Sequence, residues 1–195
     1  MNEAASLIGI ASTVGFELRV SFLDTPLAKK KINNPDSEGI VYICIHGVPS
    51  GRIDEVKAFL APLQAIRNER NKKQVGKLNT LLKRYGIVVD FEGDVVPLSR
   101  AGEGGSITER HILHALSKKL IASYGKGETL LRFLRCELKL DIPPKVEKFL
   151  LDGANPHYEY DLLGVLKSAF LPSFFIQPSR EESIDVREAV AFAKS

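Results

Sequence analysis

The sequence contains no tryptophan, and only 8% of its 195 residues are aromatic. Proteins that bind single-stranded nucleic acid stack bases on aromatic side chains, and few such side chains are present here. The net charge of +3 at pH 7 is also small, whereas nucleic-acid-binding domains usually carry a stronger excess of Lys and Arg. Nucleic-acid binding is therefore an alternative function and not the first expectation.

Cysteine is scarce as well. The two cysteines, Cys44 and Cys136, are far apart and have no CxxC partner, which argues against a disulfide scaffold and against a structural zinc site. The first residues carry an acidic side chain where a signal peptide needs positive charge, and no segment has enough consecutive apolar residues to span a membrane. We therefore expect a cytoplasmic protein without a membrane partner.

Several motifs of enzyme active sites are missing. The chain has no GxSxG nucleophile elbow, no Walker loop, no GxGxxG and no HExxH pattern. His111 and His114 lie three residues apart on one side of a predicted helix, but no carboxylate or cysteine completes a metal site beside them. We expect one of them to be a buried, hydrogen-bonded histidine and the other a surface residue, with a shared metal as the less favoured alternative.

The patterning that is present predicts an α+β chain that is mostly helical. Residues 16–22 (FELRVSF) alternate between apolar and polar side chains, which is typical of a half-buried strand with Glu17 on its polar face. Residues 40–46 (IVYICIH) form a β-branched run that predicts a buried strand ending at His46. Short strands are also predicted at 87–89 and 170–176, and residues 4–10 fit either a helix or a strand.

Helical periodicity begins at Asp54. Two apolar stripes are separated by residues 67–74 (RNERNKKQ), which contain no apolar side chain and are expected to project into solvent or to face a polar cleft. Ser106 followed by Glu109 has the spacing of a capping box, which predicts the start of a further helix. Ser183 is expected to cap a last helix.

The long predicted helix is strongly basic. Residues 52–84 contain nine Lys or Arg and three Asp or Glu, so 9 − 3 gives +6. A solvated helix face explains this charge most simply, and a surface that guides anions is the alternative. On that alternative, the chain is a noncatalytic nucleic-acid or protein-binding module that uses the basic helix 67–84.

Taken together, several segments resemble the PHP (polymerase and histidinol phosphatase) family. The similar segments are GFE at 15–17, ICIHG at 43–47, the basic helix at 66–87, SITERHI at 106–112 and DVREAV at 185–190. No single one of these is specific to the family, and the resemblance depends on their order and character along nearly the whole chain.

The resemblance implies a metal-dependent phosphoesterase. In that family an irregular β/α barrel holds divalent cations at the ends of its strands, and the metals activate a water for attack on a phosphate ester. By this resemblance Glu17 and His46 are metal ligands, and Arg110 and His111 bind substrate from an inserted helical subdomain. The expected cofactors are divalent ions (Zn, Mn or Fe) if the family site is completed.

The resemblance also implies that the chain is incomplete as an enzyme. The Asp-x-His-x-His strand of the family does not occur before Gly15, and its later His-Pro and Asp-x-His strands would lie beyond Ser195. We therefore expect a fragment or degenerate relative with little activity alone, which self-associates or needs a complementing polypeptide. Its expected parts are a strand-rich, partial barrel segment (1–53), a helical insertion lobe (54–170), and a return strand with a C-terminal helix (171–195).

Overall fold

The computed structural model describes Leu7, Gly9, residues 13–34 and residues 37–195, so most of segment 4–10 lies outside the described residues. The chain is α+β and mostly helical, as expected. It divides into two compact units. The sheet unit comprises the described residues up to Ile66 together with Pro178–Ser195, and the helical unit comprises Arg67–Gln177.

Among its described residues, the sheet unit contains three strands in the order β2-β1-β3. They are β1 (Val14–Ser21), β2 (Ile40–Val48) and β3 (Ile184–Asp185). β1 pairs antiparallel with β2 along its length, and β3 adds a short parallel pairing at Val20 and Ser21. Both long strands predicted from the sequence are confirmed. The described strands form an open sheet in which β1 is central.

One face of this sheet is covered by helices. Leu18 and Val20 are buried beneath α1 (Ile53–Leu82) and α6 (Val186–Lys194), where Phe59 stacks on Phe192 with ring centroids 3.9 Å apart. The period-two alternation of β1 therefore places its apolar side chains against the helices. The intervening residues, including Glu17, point to the opposite face of the sheet.

The boundary between the units lies inside α1, between Ile66 and Arg67, and not near residue 54. The reason is that Phe59, Leu60 and Leu63 in the first turns of α1 pack on the sheet. The helix continues through Pro62. The second boundary follows Gln177, a few residues after the expected position at 170.

The helical unit is built around a single large apolar core. Its helices after α1 are α2 (Glu109–Tyr124), α3 (Glu128–Arg132), α4 (Pro144–Leu151) and α5 (Tyr158–Val165). Wide π-type turns at Phe91–Val95, Phe133–Glu137 and Leu166–Phe170, and 3₁₀ turns at Lys83–Tyr85, Val96–Leu98, Ala101–Glu103 and Leu171–Ser173, connect or extend them. In the sheet unit, 3₁₀ turns occupy Ser50–Arg52 and Arg180–Glu182.

The segment without apolar residues is not wholly exposed, so the prediction that it faces solvent or a polar cleft was wrong for two positions. Asn71 and Gln74 are fully buried. The Asn71 side-chain amide donates to the carbonyl of Ile107 at 2.9 Å, and the Gln74 carbonyl oxygen accepts from the backbone N–H of Ile176 at 3.2 Å. Burial is tolerated because these polar atoms have partners.

The two predicted short strands are absent from the described structure. Val89 instead bonds with a side chain, because the Asn79 amide donates to the Val89 carbonyl and accepts from its N–H, both at 2.9 Å. Residues 170–176 include helical turns rather than an extended segment. Both segments are apolar because they contribute to the core of the helical unit, with Val89 and Phe174 buried there.

Helix starts also differ from the prediction. Helix α2 begins at Glu109 with Thr108 as its N-cap, so Ser106 does not form the capping box. Helix α6 is capped by Asp185, whose carboxylate accepts from the N–H of Arg187, and not by Ser183. Among the helices of the described residues, none combines the length and the apolar character needed to cross a membrane.

Candidate functional site

Glu17 and His46, the two predicted metal ligands, lie on the same face of the sheet. Glu17 is opposite Cys44 in the β1–β2 register, and His46 is opposite Gly15. Since residues two apart on a strand share a face, Glu17 and His46 are diagonal neighbours across the strand pair. Both are exposed, on the face opposite the helices.

Gly15 gives direct evidence of where the His46 ring lies. A Cβ atom built on Gly15 would stand 3.0 Å from Nδ1 of His46 and 2.7 Å from the carbonyl oxygen of Ile45. The imidazole of His46 therefore lies against the backbone of Gly15, the residue that faces it on β1. The pairing register shifts just before Gly15, and the left-handed Gly47 follows His46 on the other strand.

The way in which the two side chains are brought together differs from a barrel of parallel strands. β1 and β2 run antiparallel, so the C-terminal end of one strand lies beside the N-terminal end of the other. Glu17 is in the middle of β1, and His46 is near the end of β2. They are neighbours because of the strand register, and not because both strands end at one rim.

The donor set on this face suits a divalent metal. A carboxylate oxygen and an imidazole nitrogen are ordinary ligands of Zn, Mn and Fe. Neither Glu17 nor His46 has a hydrogen bond or ion pair within the described part of the chain, so both are available as ligands. The described His, Cys, Asp and Glu side chains include no group of three that could hold a metal, so these two ligands are not part of a larger set within the described residues.

Arg110 and His111, the two predicted substrate ligands, lie at the start of α2 in the helical unit. Arg110 is exposed and has no partner among the residues described. His111 is half-buried and acts in the helix cap, where its Nδ1 accepts the N–H of Thr108 at 3.0 Å. One ring nitrogen of His111 is therefore already occupied by the hydrogen bond that caps the N-terminus of α2.

The environment of His111 disfavours its protonated form. Burial lowers the pKa of His111 below its usual value, the nearby His114 lowers it further, and Glu109 opposes this. His114 bonds instead to Glu159 on α5, with 3.2 Å between Nε2 and Oε2. The two histidines thus have separate structural partners, and both are half-buried, so neither is the surface residue that was expected.

The basic helix presents an uneven surface. Lys72 pairs with Glu92 at 3.1 Å, and Arg70 donates to the carbonyl of Ile176 at 3.2 Å, so these two cations are engaged. Lys73 and Lys77 are exposed and have no ion pair among the described residues. Because they lie at i and i+4, they project from one side of α1.

Two residues near the ligand pair were not singled out from the sequence. Cys44 lies directly opposite Glu17 and is exposed. Arg52 lines a cleft of about 80 Å³ that His46, Phe16 and Phe192 also line. Its guanidinium already forms a salt bridge with Glu55, with 3.0 Å between Nε and the carboxylate. The alternation along β2 was enough to predict that Cys44 shares a face with His46, because the two are two residues apart.

Comparisons of this chain with protein-family models, with curated proteins and with solved structures found no match.

Proposed function

We propose that this chain contributes Glu17 and His46 to a divalent-metal site for the hydrolysis of phosphate esters, and that a complementing polypeptide is needed for full activity. The observation that carries the proposal is the shared face of the sheet opposite the helices, where both side chains are exposed and have no hydrogen bond or ion pair among the described residues. The resemblance of the surrounding segments to PHP phosphoesterases supplies the reaction class.

The chemistry requires more ligands than these two. A metal lowers the pKa of its bound water and neutralises charge on the phosphate, and a site with two cations needs several carboxylates and imidazoles. In this proposal Glu17 and His46 bind the metal, and the complementing polypeptide supplies the ligands that are missing. Exposed free thiols at Cys44 and Cys136 support the expected cytoplasmic location.

The small core of the sheet unit supports the need for a partner polypeptide. Its cluster of buried apolar side chains consists of Leu18, Val20, Ile184 and Ala189, and the apolar side chains around these four are only partly buried. β2 is also an edge strand among the described residues, and edge strands readily pair with another chain. Sedimentation at high concentration should therefore show self-association, and a clean monomer would contradict this part of the proposal.

Metal binding by purified chain tests the proposal directly. Titration with Zn²⁺ and Mn²⁺ should give binding that Glu17→Ala and His46→Ala each weaken by at least tenfold. Glu181→Ala and His157→Ala are matched controls, because both residues are exposed and have no side-chain partner among the described residues. Metal binding that is unchanged in the Glu17 and His46 variants would overturn the proposal.

Activity is the second arm of the same experiment. A generic phosphodiester should be turned over slowly or not at all by the chain alone. Robust turnover that Glu17→Ala abolishes would show that the site is complete, and would refute the need for a partner. Robust turnover that persists in both variants would remove Glu17 and His46 from the active site.

A second candidate function uses the basic surface of α1. Lys73 and Lys77 are exposed and have no ion pair among the described residues, and Asn71 and Gln74 anchor the buried side of this part of α1 to the backbone of the helical unit. Such a surface favours a polyanion such as nucleic acid, with affinity that falls as salt rises.

Charge reversal tests this second function. Lys73→Glu with Lys77→Glu should weaken oligonucleotide binding and reduce the slope of log K against log salt by about one for each phosphate that the protein no longer neutralises. Lys145→Glu with Lys148→Glu on α4 is the matched control, since both lysines are exposed and unpaired in the described structure. Equal weakening in both double variants, or no salt-sensitive binding at all, would exclude the basic surface of α1 as a specific site.

A further inference from the structure

We propose that the second half of α1 binds single-stranded nucleic acid, with its phosphates along one side of the helix and a base stacked on the guanidinium of Arg84. The side in question carries Lys73, Lys77, Thr80 and Arg84, which we call the basic stripe. This inference rests on the second proposed function, in which the basic surface of α1 binds a polyanion. It extends that function by naming the form of the nucleic acid and a residue that contacts its bases.

The charge of this part of α1 has one sign only. Residues 71–89 contain four Lys and one Arg, and no Asp or Glu. Opposite charges four residues apart stabilise a helix, whereas like charges at that spacing destabilise it. Lys73 and Lys77 are such a like-charged pair, and both are exposed without an ion pair among the described residues. An anion that binds between them relieves their repulsion.

The geometry of the helix gives the basic stripe its length. At about 3.6 residues per turn, positions 73, 77, 80 and 84 fall on one side of the helix, and a rise of about 1.5 Å per residue makes the stripe about 16 Å long. A stacked strand advances about 3.4 Å per nucleotide, so about five nucleotides lie along it. Gly76 lies beside the two lysines, and nothing is within 4 Å of a Cβ atom built on it. No side chain at that position holds a strand away from the helix.

Arg84 is held as a flat platform at the end of the basic stripe. Its guanidinium carbon lies 4.5 Å from the centroid of the Tyr85 ring, and the guanidinium donates to the carbonyl of Glu137 at 3.3 Å. The Tyr85 hydroxyl donates to the same carbonyl at 3.1 Å, and its ring contacts Phe133 edge-on, with 4.9 Å between the centroids. Arg84 is exposed, so the guanidinium face that does not contact the tyrosine is open to solvent in the described structure. Bases that have left their stack can stack on such a guanidinium plane.

The platform favours a single strand over a duplex. In a duplex the bases stack on one another and present only their edges in the grooves, whereas the bases of a single strand can be splayed out onto a flat group. The scarcity of aromatic side chains in this chain fits a short site with one such platform. Stacking of this kind tolerates any base, because every base has a π-face. The site therefore reads the form of the nucleic acid and not its sequence.

Fluorescence anisotropy of three labelled probes with the full chain tests the inference. The probes are a single strand of about twelve deoxyadenylates, its duplex with the complementary strand, and an abasic strand of the same length. The single strand should bind at least about fivefold more tightly than either of the others, the low end of what one stacked base contributes. Arg84→Lys keeps the charge but loses the plane, so it should remove this preference and leave the affinity for the abasic strand unchanged.

Two further variants separate the platform from the charge. Tyr85→Leu removes the ring beneath Arg84 and should weaken single-strand binding in the same way as Arg84→Lys. Tyr160→Leu is the matched control, because Tyr160 is 70% exposed and has no ring contact among the described residues, so its affinities should equal those of the unaltered chain. Lys73→Glu with Lys77→Glu should weaken the binding of all three probes, since these side chains contact phosphates.

The outcomes separate this inference from the second proposed function. Suppose that the lysine reversals weaken binding, but the duplex or the abasic strand binds as tightly as the single strand. That result would overturn the preference for a single strand and leave the second proposed function standing. An Arg84→Lys variant that keeps the full preference for the single strand would overturn the role of Arg84 as the platform. The absence of salt-sensitive binding to any of the three probes would overturn both.

Discussion

Gly15 lies directly beneath the imidazole of His46, so that a Cβ atom at residue 15 would stand 3.0 Å from Nδ1. The same atom would stand 2.7 Å from the carbonyl oxygen of Ile45, closer than real Cβ atoms approach. The absence of a side chain at Gly15 thus leaves the space that the His46 ring occupies. Its conformation is not left-handed, so the requirement for glycine here is one of space.

Replacement of Gly15 should therefore disturb both the strand pair and the candidate site. Gly15→Ala is expected to destabilise the sheet unit by about 1–3 kcal/mol, the usual cost of forcing an extra methyl into an occupied space, and to weaken Zn²⁺ binding. Denaturant unfolding and metal titration measure the two effects. Gly51→Ala is the control, because nothing lies within 4 Å of its added Cβ. Unchanged stability and metal affinity in Gly15→Ala would show that the ring is not held there.

Two glycines of α1 and its following turn should respond in opposite directions. Gly76 is exposed within the helix and has open space around it, so Gly76→Ala is expected to stabilise the helical unit by about 0.5–1 kcal/mol. Gly86 ends the helix with φ of 68°, so Gly86→Ala should destabilise it by about 1–2 kcal/mol. Thermal unfolding of both variants checks the pair, and equal effects of one sign would contradict the helix boundary.

Asn79 and Asn33 make the same pair of bonds in different surroundings. Each side-chain amide bonds with the N–H and C=O of one residue, Val89 for Asn79 and Tyr42 for Asn33. Val89 is buried, so Asn79→Ala leaves its N–H and C=O with neither the amide nor water as a hydrogen-bond partner. This should lower the free energy of unfolding by about 1–3 kcal/mol. Asn33 is exposed, and Asn33→Ala should change the free energy of unfolding by less than about 0.5 kcal/mol.

The comparison is informative because the two variants remove the same atoms. Similar costs, measured by denaturant unfolding, would show that burial of Val89 does not decide the effect. A larger cost at Asn33 would show that the edge of β2 depends on that side chain.

His111 predicts a pH dependence of stability. Burial lowers its pKa in the folded chain below the unfolded value of about 6.5. As pH falls below about 6.5, the unfolded chain binds the proton first, so this contribution to stability decreases until the pH passes the lowered folded pKa. The decrease has a second cause, since a protonated Nδ1 cannot accept the N–H of Thr108.

His111→Gln separates this effect from other titrations, because glutamine can still accept at that helix position but does not titrate. Its unfolding free energy should be less dependent on pH between 5 and 7 than that of the unaltered chain. His157→Gln, at an exposed residue, should keep the original slope. Equal slopes in all three proteins would contradict the role of His111 in the cap.

The elements with a clear period were predictable from local sequence. β1 follows from the alternation that begins at Phe16, and β2 follows from the β-branched run that begins at Ile40. The helix after Asp54 was expected from its apolar stripes, although its continuation through Pro62 depends on Phe59 and Leu63 packing on the sheet. Short apolar segments were misjudged, because 87–89 and 170–176 owe their apolar side chains to the core of the helical unit and not to a strand.

The polar positions were harder to predict for a physical reason. Asn71 and Gln74 look like surface residues in the sequence, and they are buried because backbone groups of Ile107 and Ile176, far along the chain, satisfy their amides. His111 looked like a ligand and is a cap, because the choice of Thr108 as N-cap places it at the third helical position. Such roles depend on partners that the local sequence does not contain.

By itself the sequence determined the class of fold and which residues of each strand share a face, since side chains alternate between the two faces along a strand. It therefore placed Glu17 on the polar face of β1. Only the tertiary structure decided that β2 runs antiparallel with Cys44 facing Glu17, and that helices cover the opposite face. Strand direction and register are set by long-range pairing and packing, which no local pattern encodes.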